Sequence, residues 1–279
     1  MNRLYGVHTS ISKSLSNAIE EARLLGCTTF QIFLQSPRTW SQRKILEEEI
    51  ASFKSAAKES GYDFYVVHCS YLINLFSLSA EVVKKSLELF AFELNFANLL
   101  GATYYVLHLR ENKVEPFAKQ LEKLISFLGS LAYEGNCKVL IENPAGGESL
   151  ANISVLRDVF FELKHRFDFF SGLCIDTAHL YAAGYELSAE GYQKLLAELS
   201  GVENEVKLIH LNDCASKFGS GRDQHASLGD GYIGLEGLQK FLLLENFKTL
   251  PVILETPRKT LEDDLKNLLT LKKLIFGAC

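Results

Sequence analysis

The sequence predicts an α/β protein: one (β/α)8 TIM barrel, a single domain over residues 1–279, with its functional site at the C-terminal ends of the strands. Three observations lead there. A phrase recurs along the chain, an amphipathic helix, then a glycine, then a short strand rich in β-branched and aromatic residues. The strands are continuous apolar runs, as expected where both faces of a parallel sheet are buried. Finally, histidines and carboxylates stand at the last residue of successive strands, or a few residues past it.

The elements follow in order. LYGVH near the start is the first strand. SLSNAIEEARLLG opens with serines and sets Leu15, Ile19, Ala22 and Leu25 on one face of a helix. Gly26 ends it and CTTFQIF follows; Gly61 precedes YDFYVVH in the same way. The long segment SAEVVKKSLELFAFELNFANLLG takes Ser79 as its N-cap and leads through Gly101 into ATYYVLH. Gly135 precedes NCKVLIE, and each of these four glycines suits a left-handed helix end. GLCID, VKLIHLN and PVILET complete eight strands, roughly 25 to 45 residues apart, with Ser188 capping a further helix. No linker or low-complexity tract divides the chain. A doubly wound open sheet is the alternative, but neither GxGxxG nor a Walker sequence is present to support it.

The apolar fraction of 47% is ample for a large core. The six cysteines form no CxxC pair and the start lacks a basic-then-apolar leader, so reduced thiols and a cytoplasmic location are expected, nucleoid-associated in a prokaryote. Apolar runs are short and broken by charge, which excludes a membrane-spanning helix. A net charge of −5 is not that of a typical nucleic-acid binder. Four of the acids counted in it are candidate metal ligands, and bound cations dominate the field of their own site.

Those ligands are readable by position. His68, His108 and His210 close strands; His179 and His225 lie just past strand ends. Glu142, Asp176 and Glu255 also end strands, and Asp223 lies two residues before His225 in a glycine-rich loop. An extended backbone would put Asp223 and His225 on one face. Asp176 and His179 span a strand-to-helix junction and need not share an ion. A single strand-terminal histidine is more often a hydrogen-bonded core residue, but nine such groups in phase with the strands point to a multi-metal site. Imidazole and carboxylate without thiolate suit zinc, with manganese possible at one site, and nine ligands imply two or three ions. Cys69 and Cys174 read as small buried hydrophobes.

The words VHCSYLINL, IENPAGG, CIDTAHLYAAGY, HLNDCASKFGSGRDQHASLGDGYIG and LETP resemble the endonuclease IV family of apurinic/apyrimidinic (AP) endonucleases, in the family's order along nearly the whole chain. The resemblance implies a hydrolase of base-excision repair with three zinc ions. It would cut the phosphodiester 5′ to an abasic site in double-stranded DNA, leaving a 3′-hydroxyl and a 5′-deoxyribose phosphate, and act as a monomer. Carried over by motif, His68, His108 and Glu142 hold the first zinc. Glu142 bridges to a second, completed by Asp176, His210 and Glu255, while His179, Asp223 and His225 hold the third. Glu142 is then catalytic together with a metal-bound hydroxide. Arg38, Tyr71 and Leu72 are the implied DNA contacts, and Lys217, Arg222 and Arg258 are candidate phosphate contacts. Trp40 packs the recognition loop, His8 lies beside the site without being a ligand, and His165 is a surface or packing residue. The chain departs from the family at His108-Leu109-Arg110, where histidine–proline–glycine is usual, at the short ENKVEP loop, at Pro37, and at GVHTSISKSL, which lacks the usual glycine pair.

The rival reading is a divalent-metal sugar isomerase or epimerase on the same barrel, with one ion among Glu142, Asp176, His210 and Glu255. It has no use for His68, His108 and the Asp223/His225 pair. A third reading is a silent barrel that binds damaged DNA or a partner protein.

Overall fold

Eight parallel strands form one sheet in the computed structural model, which describes residues 3–147 and 149–277. They are β1 (Tyr5–Val7), β2 (Gln31–Ile32), β3 (Val66–His68), β4 (Tyr104–His108), β5 (Lys138–Glu142), β6 (Phe170–Asp176), β7 (Val206–His210) and β10 (Val252–Leu254). Two further short strands, β8 (Asp213–Cys214) and β9 (His225–Ala226), form a separate antiparallel pair. All eight expected strands are present. Their order in the sheet is β1-β10-β7-β6-β5-β4-β3-β2, so chain order is kept around the ring. Helices α1 (Leu15–Leu25), α2 (Glu47–Glu59), α3 (Ala80–Leu100), α4 (Phe117–Leu128), α5 (Ile153–Arg166), α8 (Gly234–Leu242) and α9 (Leu261–Phe276) each follow a strand. After β6 come two, α6 (Thr177–Ala182) and α7 (Ala189–Glu198). No helix among the described residues is long and apolar enough to cross a membrane.

The caps work as the sequence suggests in most places. Ser14, Ser79 and Ser188 each accept a backbone amide at a helix start. Gly26, Gly61 and Gly101 take positive φ at or just beyond helix ends. Gly135 is a correction. Helix α4 stops at Leu128, well before it, and Gly135 has no positive φ. It is glycine for space, because a Cβ would lie 2.3 Å from the Tyr133 hydroxyl and 2.6 Å from Asn98.

The barrel closes differently from the way it is built. Seven parallel ladders join neighbouring strands, but β1 and β2 share none: they meet through the bridge His8–Gln31, the Thr9 amide on the Gln31 carbonyl, and hydrogen bonds of Thr28 and Thr29 with the Tyr5 backbone. Gly6 permits this approach: a Cβ there would lie 1.8 Å from the Thr29 carbonyl oxygen.

Inside the barrel, Val66, Val106, Leu140, Cys174, Leu208 and Ile253 form a closed apolar layer, one residue from each of six strands. Two residues further along those strands stand His68, His108, Glu142, Asp176, His210 and Glu255. A strand returns to the same face every second residue. The next layer up is therefore made of imidazoles and carboxylates. The five described cysteines are buried and unbridged; Cys279 lies outside the described residues.

Candidate metal centre

Three groups of donor atoms converge in this layer and just above it. In the first, His68 Nε2 and His108 Nε2 are 3.1 Å apart, and they lie 3.4 and 2.9 Å from Glu142 Oε2. In the second, His210 Nδ1 lies 3.1 Å from Glu142 Oε1 and 3.2 Å from Glu255 Oε2, with Asp176 completing the cluster. In the third, Asp223 Oδ1 lies 3.1 Å from His179 Nε2 and 3.4 Å from His225 Nε2. His225 Nε2 also stands 3.5 Å from Asp176 Oδ2, so Asp176, His179 and His225 form one cluster, closer than their junction suggested.

The imidazoles are aimed by their other nitrogens. Backbone carbonyls only accept, so Nδ1 of His68, His179 and His225 donates to Cys69, Asn143 and Glu255 at 2.9, 2.9 and 3.1 Å. Each Nε2 lone pair is left facing inward. His210 is turned the other way: its Nε2 lies 2.9 Å from Gln31 Oε1, which leaves Nδ1 to face the carboxylates. Burial pushes the His108 imidazole pKa down despite Glu142 beside it, which favours the neutral, donating ring. Burial would raise the Glu142 carboxyl, but His108 and His210 outweigh it and hold it well below the usual range. The same contest sets Glu255 well below that range, with His210 the main counterweight, and lowers Asp223 to about 2 through His179.

This donor set fits metal ions. Glu142 Oε2, His179 Nε2 and His225 Nε2 are buried with no hydrogen-bond partner among the described residues, although oppositely charged atoms lie within ion-pair distance. Atoms at contact distance without hydrogen-bond alignment are what a shared centre produces. Donors around a tetrahedral ion with bonds of about 2.1 Å stand about 3.4 Å apart, and the contacts above span 2.9–3.5 Å. A leftover buried polar atom would otherwise cost about 1–3 kcal/mol.

Four supporting residues stand outside the nine candidate ligands, three of them neutral amides and the fourth, Asp213, an acid just past a strand end. Gln31 ends on the seam and touches three site residues: its Nε2 reaches Glu255 Oε1 at 2.6 Å and His8 Nδ1 at 3.0 Å, and its Oε1 reaches His210. Asn143 brackets the Asp176 peptide with both side-chain atoms. Asn212 donates to Asp176 Oδ2 at 2.7 Å and accepts the Glu255 amide at 2.8 Å. Asp213, fully buried, accepts the amides of Cys214, Gly229, Gly231, Ile233 and Gly234. It thereby moulds the LGDGYIG loop beside the β8–β9 pair, which places His225.

A family model described as "Xylose isomerase-like TIM barrel" matches residues 19–273. Proteins named "Probable endonuclease 4" match end to end: that of Persephonella marina is 37% identical over 98% of this chain and 97% of its own length. The chain belongs to the endonuclease IV family. The corresponding protein of Aquifex aeolicus is 32% identical, over 97% of each chain. The crystal structure of endonuclease IV from Thermus thermophilus superposes with a TM-score of 0.86 at 35% identity, covering 99% of this chain and 100% of that one. A D-tagatose 3-epimerase-like protein, at 20% identity and a TM-score of 0.71, shares the fold alone. The endonuclease IV family is metal-dependent, and the clusters here could hold metal ions.

The donors floor a cavity of about 410 Å³ that opens at the barrel mouth. Tyr71 stands in its wall, 47% exposed, edge-on to Phe33, which packs against His8. Ser70 links the two loops expected to meet DNA: its hydroxyl donates to the Pro37 carbonyl at 2.9 Å and accepts the Leu72 amide. Leu72 is half-buried, and Arg38 is exposed, outside the cavity wall. Trp40 packs against the core, while His165 is exposed at the end of α5. Lys217 and Arg222 are exposed between β8 and β9. Arg258 differs from them, being ion-paired to Glu21 and, at 2.7 Å, to Asp264. Both acids take Nη1, which ties Arg258 to α1 and α9.

Proposed function

We propose that the chain is a zinc-dependent AP endonuclease of base-excision repair, hydrolysing the phosphodiester 5′ to an abasic site to leave a 3′-hydroxyl and a 5′-deoxyribose phosphate. The observation that carries this reading is Glu142: it presents Oε2 to His68 and His108 and Oε1 to His210, one oxygen to each of two donor groups. A mononuclear sugar isomerase needs only the group around Glu142, Asp176, His210 and Glu255. His68, His108 and the His179–Asp223–His225 group would then have no ion to hold, and the buried Nε2 atoms of His179 and His225 no partner.

Three zinc ions are assigned, held by His68, His108 and Glu142; by Glu142, Asp176, His210 and Glu255; and by His179, Asp223 and His225. Manganese is admissible at one of them. Divalent ions at these positions supply Lewis acidity toward phosphate oxygens and lower the pKa of water. The chain's own residues do the rest. The inward Nε2 atoms and the ionised carboxylates fix where a phosphate can rest. Tyr71 and Leu72 enter the minor groove and hold the abasic nucleotide out of the helix, where lost stacking makes extrusion cheap. Arg38 follows them from the neighbouring loop. The partner is double-stranded DNA carrying abasic sites, met in the cytoplasm by a monomer acting as one domain over residues 1–279.

The test is Glu142→Gln, because an amide cannot offer two anionic oxygens. Incision of an abasic duplex should fall by several orders of magnitude, on the order of a lost metal-activated nucleophile, with the circular dichroism spectrum unchanged. End-group mapping of the wild-type product should give the 3′-hydroxyl, and elemental analysis about three zinc ions per chain. Near-normal incision by the variant, or one metal per chain in the wild type, would sink the reading.

A further inference from the structure

Two arginines stand in the wall of the cavity above the donors, Arg110 and Arg258. Arg258 is committed to Glu21 and Asp264. Arg110 is exposed and makes neither an ion pair nor a side-chain hydrogen bond among the described residues. That is unusual company for a free guanidinium, since Asp223 and Glu255 line the same wall and both are spoken for by histidines.

The backbone beneath Arg110 is fixed on both sides. Leu109 is 1% exposed. The Glu111 carboxylate accepts the amides of Ser149 and Leu150 at 2.6 and 3.1 Å, tying this turn to the loop after β5. Asn112 donates to the Phe76 carbonyl at 2.8 Å and exchanges hydrogen bonds with Gln120. The short loop is therefore a rigid mount, and it carries a cation two residues beyond His108. A guanidinium presents a planar fork that matches two oxygens of one phosphate. With no acid of its own, this one is open to an anion from outside.

We infer that Arg110 binds a phosphate of the DNA strand that enters the cavity with the extruded abasic nucleotide. The inference rests on the AP-endonuclease reading. It makes Arg110 a contact formed at the abasic site, distinct from the general surface charge supplied by Lys217 or Arg222.

The test measures binding by the metal-loaded enzyme, with no turnover. The probe is a duplex with a tetrahydrofuran abasic analogue whose scissile linkage is an uncleavable phosphonate, compared with the same duplex undamaged, over a range of salt. Arg110→Ala should weaken abasic-duplex binding by about tenfold, the loss of one charge-assisted hydrogen-bonded contact, and undamaged-duplex binding by less than about twofold. The slope of log affinity against log salt should become shallower by about 0.9, one phosphate fewer. Arg110→Lys should restore the slope but not the full affinity, because an ammonium lacks the fork. Metal content should match the wild type in both variants. Unchanged affinity and slope in Arg110→Ala would overturn the inference, as would equal losses on the two duplexes or loss of an ion through His108. A wild-type enzyme with no preference for the abasic duplex would overturn the AP-endonuclease reading as well, which separates the two failures.

Discussion

Glu93 offers a quantitative test of how the barrel supports its mouth. It lies on α3, 2% exposed, and its Oε2 accepts the Tyr105 hydroxyl at 2.7 Å and the Ser70 amide at 3.1 Å. Burial pushes its carboxyl up to about 7, with the Tyr105 hydrogen bond pulling the other way. In the unfolded chain the group returns to the ordinary 4.5. Between those values the folded protein binds a proton that the unfolded chain releases, so this residue's stabilising contribution is full below about 4.5 and is lost as pH rises through about 7. A gap of that width corresponds to about 3 kcal/mol. Glu93→Gln mimics the protonated group, and its carbonyl can accept the same two hydrogen bonds. Urea denaturation of both proteins, metal-loaded, should give equal stabilities near pH 4.5. At pH 8 the variant should be more stable by about 3 kcal/mol. The histidine cluster titrates in both proteins and largely cancels in the difference, with His68 alone in it pulling the Glu93 carboxyl down. Parallel pH profiles would mean that Glu93 is ionised throughout and that water or a cation compensates its burial.

Three further expectations concern the site and the ring that carries it. His225→Ala should release about one zinc per chain and nearly abolish incision, since transition-state charge on the phosphate loses a cation; unchanged metal content with full activity would leave the Asp223/His225 pair a plain loop. Tyr71→Ala should cost more affinity for abasic duplex than for undamaged duplex in the uncleavable-probe assay, whereas equal losses would assign the ring to packing on Phe33. Gly6→Ala places a Cβ against the Thr29 carbonyl, a backbone atom that cannot swing away. It should lower the urea midpoint by an amount equivalent to about 3 kcal/mol at constant slope, and an unmoved midpoint would show the β1–β2 contact to be soft.

What could be read from the sequence was whatever obeys the strand period. Each of six donors stands two residues beyond an inner apolar residue, so the same alternation that predicts a strand also places its final side chain in the barrel. His179, Asp223 and His225 lie past the strand ends, where the alternation no longer fixes direction, and their positions depend on β8, β9 and the Asp213 hub, which two-residue strands and backbone amides do not announce. Gln31, Asn143 and Asn212 are invisible to a search for titratable ligands, since their task is to hold ligands by hydrogen bonds. The ion pairs of Arg258 are not legible locally, because its acids, Glu21 and Asp264, lie on other elements, one of them 237 residues away. Gly135 followed the local phrase of helix, glycine and strand but answers to a crowd of tertiary neighbours.

The seam between β1 and β2 makes the barrel a ring with seven welds and one latch. The latch bar is Gln31, and its side chain rests on His8, Glu255 and His210. Two of those are proposed ion ligands, so whatever fixes them also fixes the bar. Loading the centre should therefore lock the ring mechanically, slowing hydrogen exchange at the Thr28, Thr29 and Thr9 amides that bridge the gap. Stripping it should let the ring open first at the Thr9 amide, on the mouth side of the seam, while the opposite side of the barrel stays shut. An enzyme built this way carries its loading state in the tension of its own hoop.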